Sequence, residues 1–388
     1  MGTRPPYYRL SAFYLVYFAS VGAFVPYWSV YLQSLDFTPG QIGELIAVSL
    51  ITKVFAPYFW GWVADHTGHR LRVIRWTSFL TAAGFLGVFA DQSYGWLMFV
   101  ISTYSFFWHA VLPQFEVTTI NHLGSERIRY SRIRLWGSVG FILTVVGLGY
   151  LFEWVGVGLL PYVISGLVIA IWLVTFLIRH SPESVSGLPH VSIIRVLSSR
   201  KVLAFFLACF LIQASHGPYY AFFSIYLETR GYTSGQIGQL WALGVVAEIG
   251  VFLFMHRWLQ GIGAIRLFQL SIVITALRWV LIGAWVDVLV ILLLAQLMHA
   301  ASYGLYHASA IELVNEYFPG KLQGRGQALY SSISFGLGNA LGSLAAGYIW
   351  TSISPQSTYY LAAGLCFTGF LVALLLNRSG ALSFSGHR

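Results

Sequence analysis

Ala19-Ser20-Val21-Gly22, Ser29-Val30-Tyr31-Leu32 and Thr38-Pro39-Gly40-Gln41-Ile42-Gly43 return in register as Ala214-Ser215-His216-Gly217, Ser224-Ile225-Tyr226-Leu227 and Thr233-Ser234-Gly235-Gln236-Ile237-Gly238. The offset is 195 positions in a chain of 388, and an ungapped comparison from Ala19 to Ala47 finds 13 identities in 29 positions. A period of half the chain is too long for a solenoid and describes two related halves.

Composition puts those halves in a membrane. Hydrophobic residues make up 57%, charged residues 9%, and mean hydropathy is +0.71. Soluble domains carry about 25% charged residues, so this chain has too few to cover a water-facing surface. Duplicated halves in so apolar a chain are the organisation of secondary transporters. The net charge of +9 invites a nucleic-acid reading, which the placement of the charges argues against.

Apolar runs long enough to cross a core of about 30 Å fall near 9–32, 41–63, 73–90, 95–119, 133–154 and 158–178, then 202–227, 236–257, 265–285, 288–314, 327–350 and 357–377. The fold expected is all-α, twelve transmembrane helices in two pseudo-symmetric six-helix bundles. The domains are 1–180, a cytoplasmic linker 181–201 and 202–388, with an amphipathic surface helix at Val191–Leu197. Assigning the connections alternately puts 19 of the 22 Lys and Arg on one side, among them Arg70, Arg72, Arg75, Arg129 and Arg132, and only Arg230 on the other. The positive-inside rule makes the rich side, and both termini, cytoplasmic. The first apolar stretch is too long for a signal-peptide core and runs into the repeat. Cys209 and Cys366 fall inside spans, without disulfide or metal spacing.

Between the second and third spans stands Gly61-Trp62-Val63-Ala64-Asp65-His66-Thr67-Gly68-His69-Arg70-Leu71-Arg72. Gly68 suits a turn with positive φ, Asp65 suits a helix cap or a cation partner, and Arg70 and Arg72 hold the loop inside. The pattern resembles the cytoplasmic loop signature of the major facilitator superfamily, carried here by Gly61, Asp65, Gly68 and Arg70. In the second half the place of Asp65 is taken by Gln260. Further stretches resemble the branch holding the lactose permease and the phenylpropionate permeases: Gly22–Trp28 and Ser131–Gly140, then Gln213–Tyr220, Gly244–Glu248, Arg278-Trp279 and Gln327–Ser331. The second-half stretches look most like the phenylpropionate-permease family. The resemblance implies two bundles around a central cavity that opens alternately to each side, and proton-coupled uptake.

Charges inside spans cost roughly 2.5 kcal/mol or more on insertion scales, so those that remain suggest a pathway. Lys53 and Glu248 occupy equivalent places 195 apart. Glu116 and Arg134 flank a short loop and are expected to meet across an antiparallel pair, like the substrate-binding pair of the lactose permease. Glu248, Arg278 and His299 resemble that protein's acid, arginine and histidine, but Ser302 stands where it has a second acid. Burial and a nearby cation act oppositely on a carboxylate's proton affinity, so a carboxylate whose surroundings alternate is able to carry a proton. Glu248 is the first choice and Glu312 the second, with His299 or His307 assisting. Lys53 or Arg278 would meet an anionic substrate, and His216, Tyr219 and Tyr220 would line the wall. The alternative for each charge is a structural ion pair. His109 fits an interhelical hydrogen-bonding group.

Gly336–Gly342 reads as small-residue helix packing, since no soluble strand precedes it. No P-loop and no metal spacing occur in the sequence, so no cofactor and no metal are expected. Tyr58, Trp60 and Trp62 read as interfacial aromatics; Tyr27, Tyr31 and Trp241 are candidates for stacking on an aromatic substrate. The whole points to a proton-driven symporter of the bacterial inner membrane, no enzyme, working as a monomer. Its partners are a small organic solute, protons and lipid, without nucleic acid. An aromatic carboxylate such as 3-phenylpropionate leads; an oligosaccharide or nucleoside symporter and a drug/proton exporter are the alternatives. A sensor should carry a soluble output domain and a membrane enzyme a nucleophile–base pair, and neither is visible.

Overall fold

The computed structural model describes residues 6–124, 126, 129–179 and 194–377, which contain helices and no strand. The first six membrane helices are α1 (Tyr7–Ser34), α2 (Pro39–Thr67), α3 (70–89), α4 (Tyr94–Leu123), α5 (Tyr130–Val155) and α6 (Val157–Thr175). The second six are α7 (Arg200–Thr229), α8 (Ser234–Ile262), α9 (Ala264–Trp285), α10 (Leu289–Tyr317), α11 (323–352) and α12 (Pro355–Asn377). Residues 181–193 of the expected linker lie outside the described residues, and Ile194–Leu197 forms one helical turn. Ten of the twelve helices are long and apolar enough to span a membrane by length and composition. The other two are explained locally. In α3 the regular helix is 16 residues and opens on Arg70, Arg72 and Arg75; α11 is interrupted by a π-helical stretch, Ser332–Gly338.

The repeat has a local meaning as well as a global one. Thr38 and Thr233 each cap the helix that follows, and Gln41 and Gln236 reach back to the capping backbone. The Thr38 N–H donates to Gln41 Oε1 at 3.0 Å and the Thr233 N–H to Gln236 Oε1 at 2.9 Å. Such a reciprocal box satisfies two otherwise orphaned amides, and the cap contributes about 1 kcal/mol. The two halves thus start α2 and α8 by one device.

Three helices depart from regular α-helix along their length. Pro218 has no N–H to give Ala214, so α7 stops at Ser215 and resumes at Gly217. Ala300–Leu305 in α10 and Ser332–Gly338 in α11 are π-helical. Each of these changes the angular phase of the residues beyond it, a device common at functional sites.

Between the bundles, α2 packs on α11 and α5 on α8. Both seams close at the end where α2 and α8 begin. A Cβ on Gly43 would sit 2.9 Å from the Ser343 carbonyl oxygen and 3.2 Å from the Gly347 Cα, and one on Gly238 would sit 2.4 Å from the Val145 carbonyl oxygen. Polar contacts tie the same end: Glu44 of α2 accepts from Tyr94 and Tyr348, Glu153 of α5 accepts from the Gly235 N–H at 3.0 Å, and Gln239 of α8 donates to Tyr150. Gly43 and Gly238 are repeat partners, so the closure keeps the symmetry of the duplication.

Candidate functional site

A cavity of about 1450 Å³ lies between the bundles and is lined by both. It reaches the end that carries the 61–72 loop, where Trp62, Asp65, His66, Arg70 and Asn121 line it, while the opposite end is shut by the glycine seams. On α2 the lining residues include Ile46, Ser49, Lys53, Pro57, Gly61 and Asp65. That is the spacing of three and four that puts residues on one face of a helix.

Lys53 and Glu248 both face this cavity. Lys53 Nζ stands 5.4 Å from the centre of the Phe335 ring. The ion pairs within 4 Å among the described residues are Arg70–Asp65, Arg129–Glu126 and Arg230–Asp287, so Lys53 has no carboxylate partner at that distance. Glu248 packs beside Gly304 of the α10 π stretch, whose Cβ would meet Glu248 Cγ at 3.1 Å. Tyr17, Trp108, Tyr220, Trp241, Tyr303 and Phe335 supply aromatic wall, and Tyr17 stacks on Trp108 with ring centres 5.5 Å apart.

Glu116 and Arg134 also line the cavity, but they do not form the expected ion pair. Tyr130 donates to Glu116 at 3.3 Å, and the Arg134 guanidinium lies 3.8 Å from the Phe18 ring centre. A guanidinium over a ring gains cation–π attraction at little desolvation cost.

Several expected wall residues are set back. Arg278 is fully buried and does not line the cavity. Its Nε donates to the Ala295 carbonyl at 2.8 Å, and its terminal nitrogens donate to Ser302 Oγ at 3.0 Å, His299 Nδ1 at 3.1 Å and Gln296 Oε1 at 3.4 Å. Its guanidinium lies 4.3 Å from the Tyr219 ring centre and 4.6 Å from that of Trp279. His299 stands between Arg278 and the cavity, and lines it. Tyr219 and His216 are buried off the cavity: Tyr219 donates to Gln296 at 3.0 Å, and His216 Nδ1 bonds the Ile212 carbonyl at 2.8 Å. Adjacent helical residues point about 100° apart, and Tyr220 is the one of the two tyrosines that faces in.

His307 and Glu312 are displaced for the same kind of reason. His307 does not line the cavity; its Nδ1 is 3.1 Å from the Tyr330 hydroxyl, and its ring stacks on Tyr303. Glu312 is exposed, on a face of α10 that the cavity does not reach. Thirteen residues of α-helix turn about 220° from His299, and the π stretch alters that phase further. Tyr27 and Tyr31 are buried in their bundle, Tyr27 donating to the Val145 carbonyl at 2.6 Å, whereas Trp241 lines the cavity as expected. The reverse correction applies to Tyr58 and Trp62: they line the cavity rather than only an interface, and Tyr58 lies 3.3 Å from Ser332 across the seam. Tyr58 stands three residues before Gly61 and Trp62 three before Asp65, and that shared helical face was the available signal.

The loop signature forms as its chemistry implies. Gly68 ends α2 with φ 64°, Arg70 pairs with Asp65 and also donates to Gln114 of α4, and a Cβ on Gly61 would approach Gln114 Nε2 at 3.3 Å. Cys209 and Cys366 are free and buried.

A family model described as the MFS_1 like family matches residues 7–361. The chain is 27% identical to the "Probable 3-phenylpropionic acid transporter" of Escherichia coli (strain K12), over 93% of each chain. It is 28% identical to the "Maltose permease" of Geobacillus stearothermophilus, over 94% of this chain and 93% of that one. Among solved structures, the nucleoside transporter NupG superposes with a TM-score of 0.85 at 18% identity, covering 96% of this chain and 99% of that one, a likeness of fold. With its two six-helix bundles closed over a shared cavity, the chain belongs to the MFS_1 like family and is a multi-pass membrane transporter of the major facilitator type.

Proposed function

We propose that this transporter is a proton-coupled symporter of the bacterial inner membrane that imports a small aromatic carboxylate by alternating access. The observation that carries the proposal is Lys53: a cation on the cavity wall, with an aromatic ring 5.4 Å away and no carboxylate within ion-pair distance among the described residues. A cation so placed favours an anion, and the surrounding rings favour an aromatic one. The relative named a probable 3-phenylpropionic acid transporter supports the same class. With the arginine-rich end cytoplasmic, the conformation is inward-facing, and the two bundles, residues 1–180 and 202–388, rock against each other.

Glu248 is the proposed proton carrier. It faces the cavity from the opposite bundle, and no hydrogen bond or ion pair within the described residues holds it. Closing the cavity removes water from the carboxylate and opening restores it, which alters its proton affinity in step with transport. A maltose-type substrate is the second reading. The polar lining residues Gln327, Ser331 and Asn339 of α11 favour it, as does the relative named a maltose permease.

The test is substrate-induced pH change in proteoliposomes given 3-phenylpropionate, cinnamate, maltose, lactose and a nucleoside in turn. Alkalinisation outside with the two aromatic acids supports the proposal. Proton movement with a sugar or nucleoside alone overturns the substrate class, and solute uptake without proton movement overturns the coupling.

A further inference from the structure

His109 of α4 lines the cavity and sits on the neighbour of Lys53: its Nδ1 is 2.9 Å from the Thr52 hydroxyl oxygen of α2. The Thr52 hydroxyl has one hydrogen, which it donates to the Ser49 carbonyl at 2.7 Å. Its oxygen is left to accept, so the hydrogen between Thr52 and His109 belongs to Nδ1. In the neutral ring Nε2 is then a bare acceptor, and it has no partner among the described residues. His299, on the other bundle, has the opposite polarity. Arg278 only donates, so His299 Nδ1 accepts and its Nε2 carries the hydrogen.

A carboxylate drawn to Lys53 therefore meets, at His109, an acceptor facing acceptors. A proton on Nε2 resolves the conflict. Nδ1–H continues to donate to Thr52, the new Nε2–H donates to the carboxylate, and the bond is charge-assisted at both ends. We infer that His109 is a substrate-loaded proton site: binding of a carboxylate at Lys53 draws one proton from cavity water onto His109 Nε2, and release of the carboxylate returns it. No electron moves, and the proton donor is hydronium in the cavity. Anion binding and ring protonation are linked, so each strengthens the other by the same factor.

The charged and titratable groups around the cavity wall at His109 come from several helices. Lys53 stands next to Thr52 on α2, and Glu116 lies two turns further along α4 itself. Arg70 of α3 reaches α4 at Gln114 near the mouth, Tyr17 of α1 stacks beside Trp108, Arg134 stands on α5, and Glu248 faces from α8. Protonated His109 with Lys53 exceeds one carboxylate by one positive charge, and Glu116 is the nearest acid along the same helix to offset it.

This inference rests on the proposal that Lys53 anchors a carboxylate, and it is tested on the purified full-length transporter in weakly buffered detergent solution with a pH indicator. On adding 3-phenylpropionate, wild type takes up close to one proton per bound ligand, and its affinity weakens by up to about tenfold per pH unit as the pH rises. Phenylpropionamide, which has no anion, draws none. In His109→Gln and His109→Asn the uptake disappears and the affinity no longer follows pH. Wild type that binds the acid without taking up a proton overturns the inference while sparing the anchor, and so does full uptake in both variants. Wild type that ignores the acid but binds maltose overturns the anchor, and the inference with it.

Discussion

Gly43 of α2 and Gly347 of α11 touch backbone to backbone: a Cβ on Gly347 would lie 2.4 Å from the Pro39 carbonyl oxygen and 3.2 Å from the Gly43 Cα. No side chain fits at this crossing point, so the close contact exists only while both positions lack one. Closure of one end of the cavity is therefore written into two hydrogen atoms.

Gly43→Leu is expected to open that end. Overpacking costs about 1–3 kcal/mol, enough to move a balanced two-state equilibrium roughly 5- to 150-fold. A cysteine placed at Ser49, inside the cavity, should react faster with a membrane-impermeant maleimide added from the closed side of oriented vesicles. The native thiols are buried and give a low background. Equal labelling rates in the two proteins would count against the seam as a gate.

Lys53→Gln is expected to weaken binding of 3-phenylpropionate by about 10- to 100-fold, the range for losing one charged hydrogen bond. Lys53→Arg should recover part of the loss, and the uncharged amide of the ligand should be nearly indifferent to all three side chains. Titration calorimetry on the purified variants reads this directly. A change under about threefold for the acid removes Lys53 as the anchor.

Glu248→Gln should abolish accumulation against a gradient while exchange of labelled for unlabelled solute across the membrane persists. Exchange needs only the loaded carrier to reorient, whereas accumulation needs the proton to leave. Accumulation at the wild-type level in this variant would take the proton from Glu248.

Arg278→Ala should act on stability before transport. The side chain is fully buried, and its loss takes a donor from the Ala295 carbonyl and from His299 Nδ1, while Gln296 Oε1 keeps only Tyr219. Unsatisfied buried groups cost about 1–3 kcal/mol each when no water reaches them. A lowered melting temperature of the detergent-solubilised variant is the expected result. By contrast, Asp65→Ala removes an ion pair whose acid is 59% exposed, worth at most about 1 kcal/mol, and should leave the melting temperature nearly unchanged.

The twelve spans, the duplication and the clustering of arginine at one end were legible because each is a one-dimensional property. Hydropathy needs only a window, the 195-residue offset only an alignment, and the pairing of Lys53 with Glu248 only that offset. The Thr38–Gln41 and Thr233–Gln236 caps and the Gly68 turn were equally accessible, since the atoms involved lie within a few residues of one another.

What the tertiary structure decided was which of the buried polar groups meet the cavity. His216, Tyr219, His307 and Glu312 sit in spans with the right composition, yet the break in α7 and the π stretch in α10 set their angular phase and turn them elsewhere, and Arg278 of the unbroken α9 is held off the cavity by its α10 partners. His109, which the sequence offered only as an interhelical bonder, comes to face the cavity because Thr52 on another helix holds its ring. Composition and spacing fix how deep a residue lies; rotation about the helix axis depends on neighbours distant in sequence, and in a bundle that rotation separates the wall of a pathway from its scaffold.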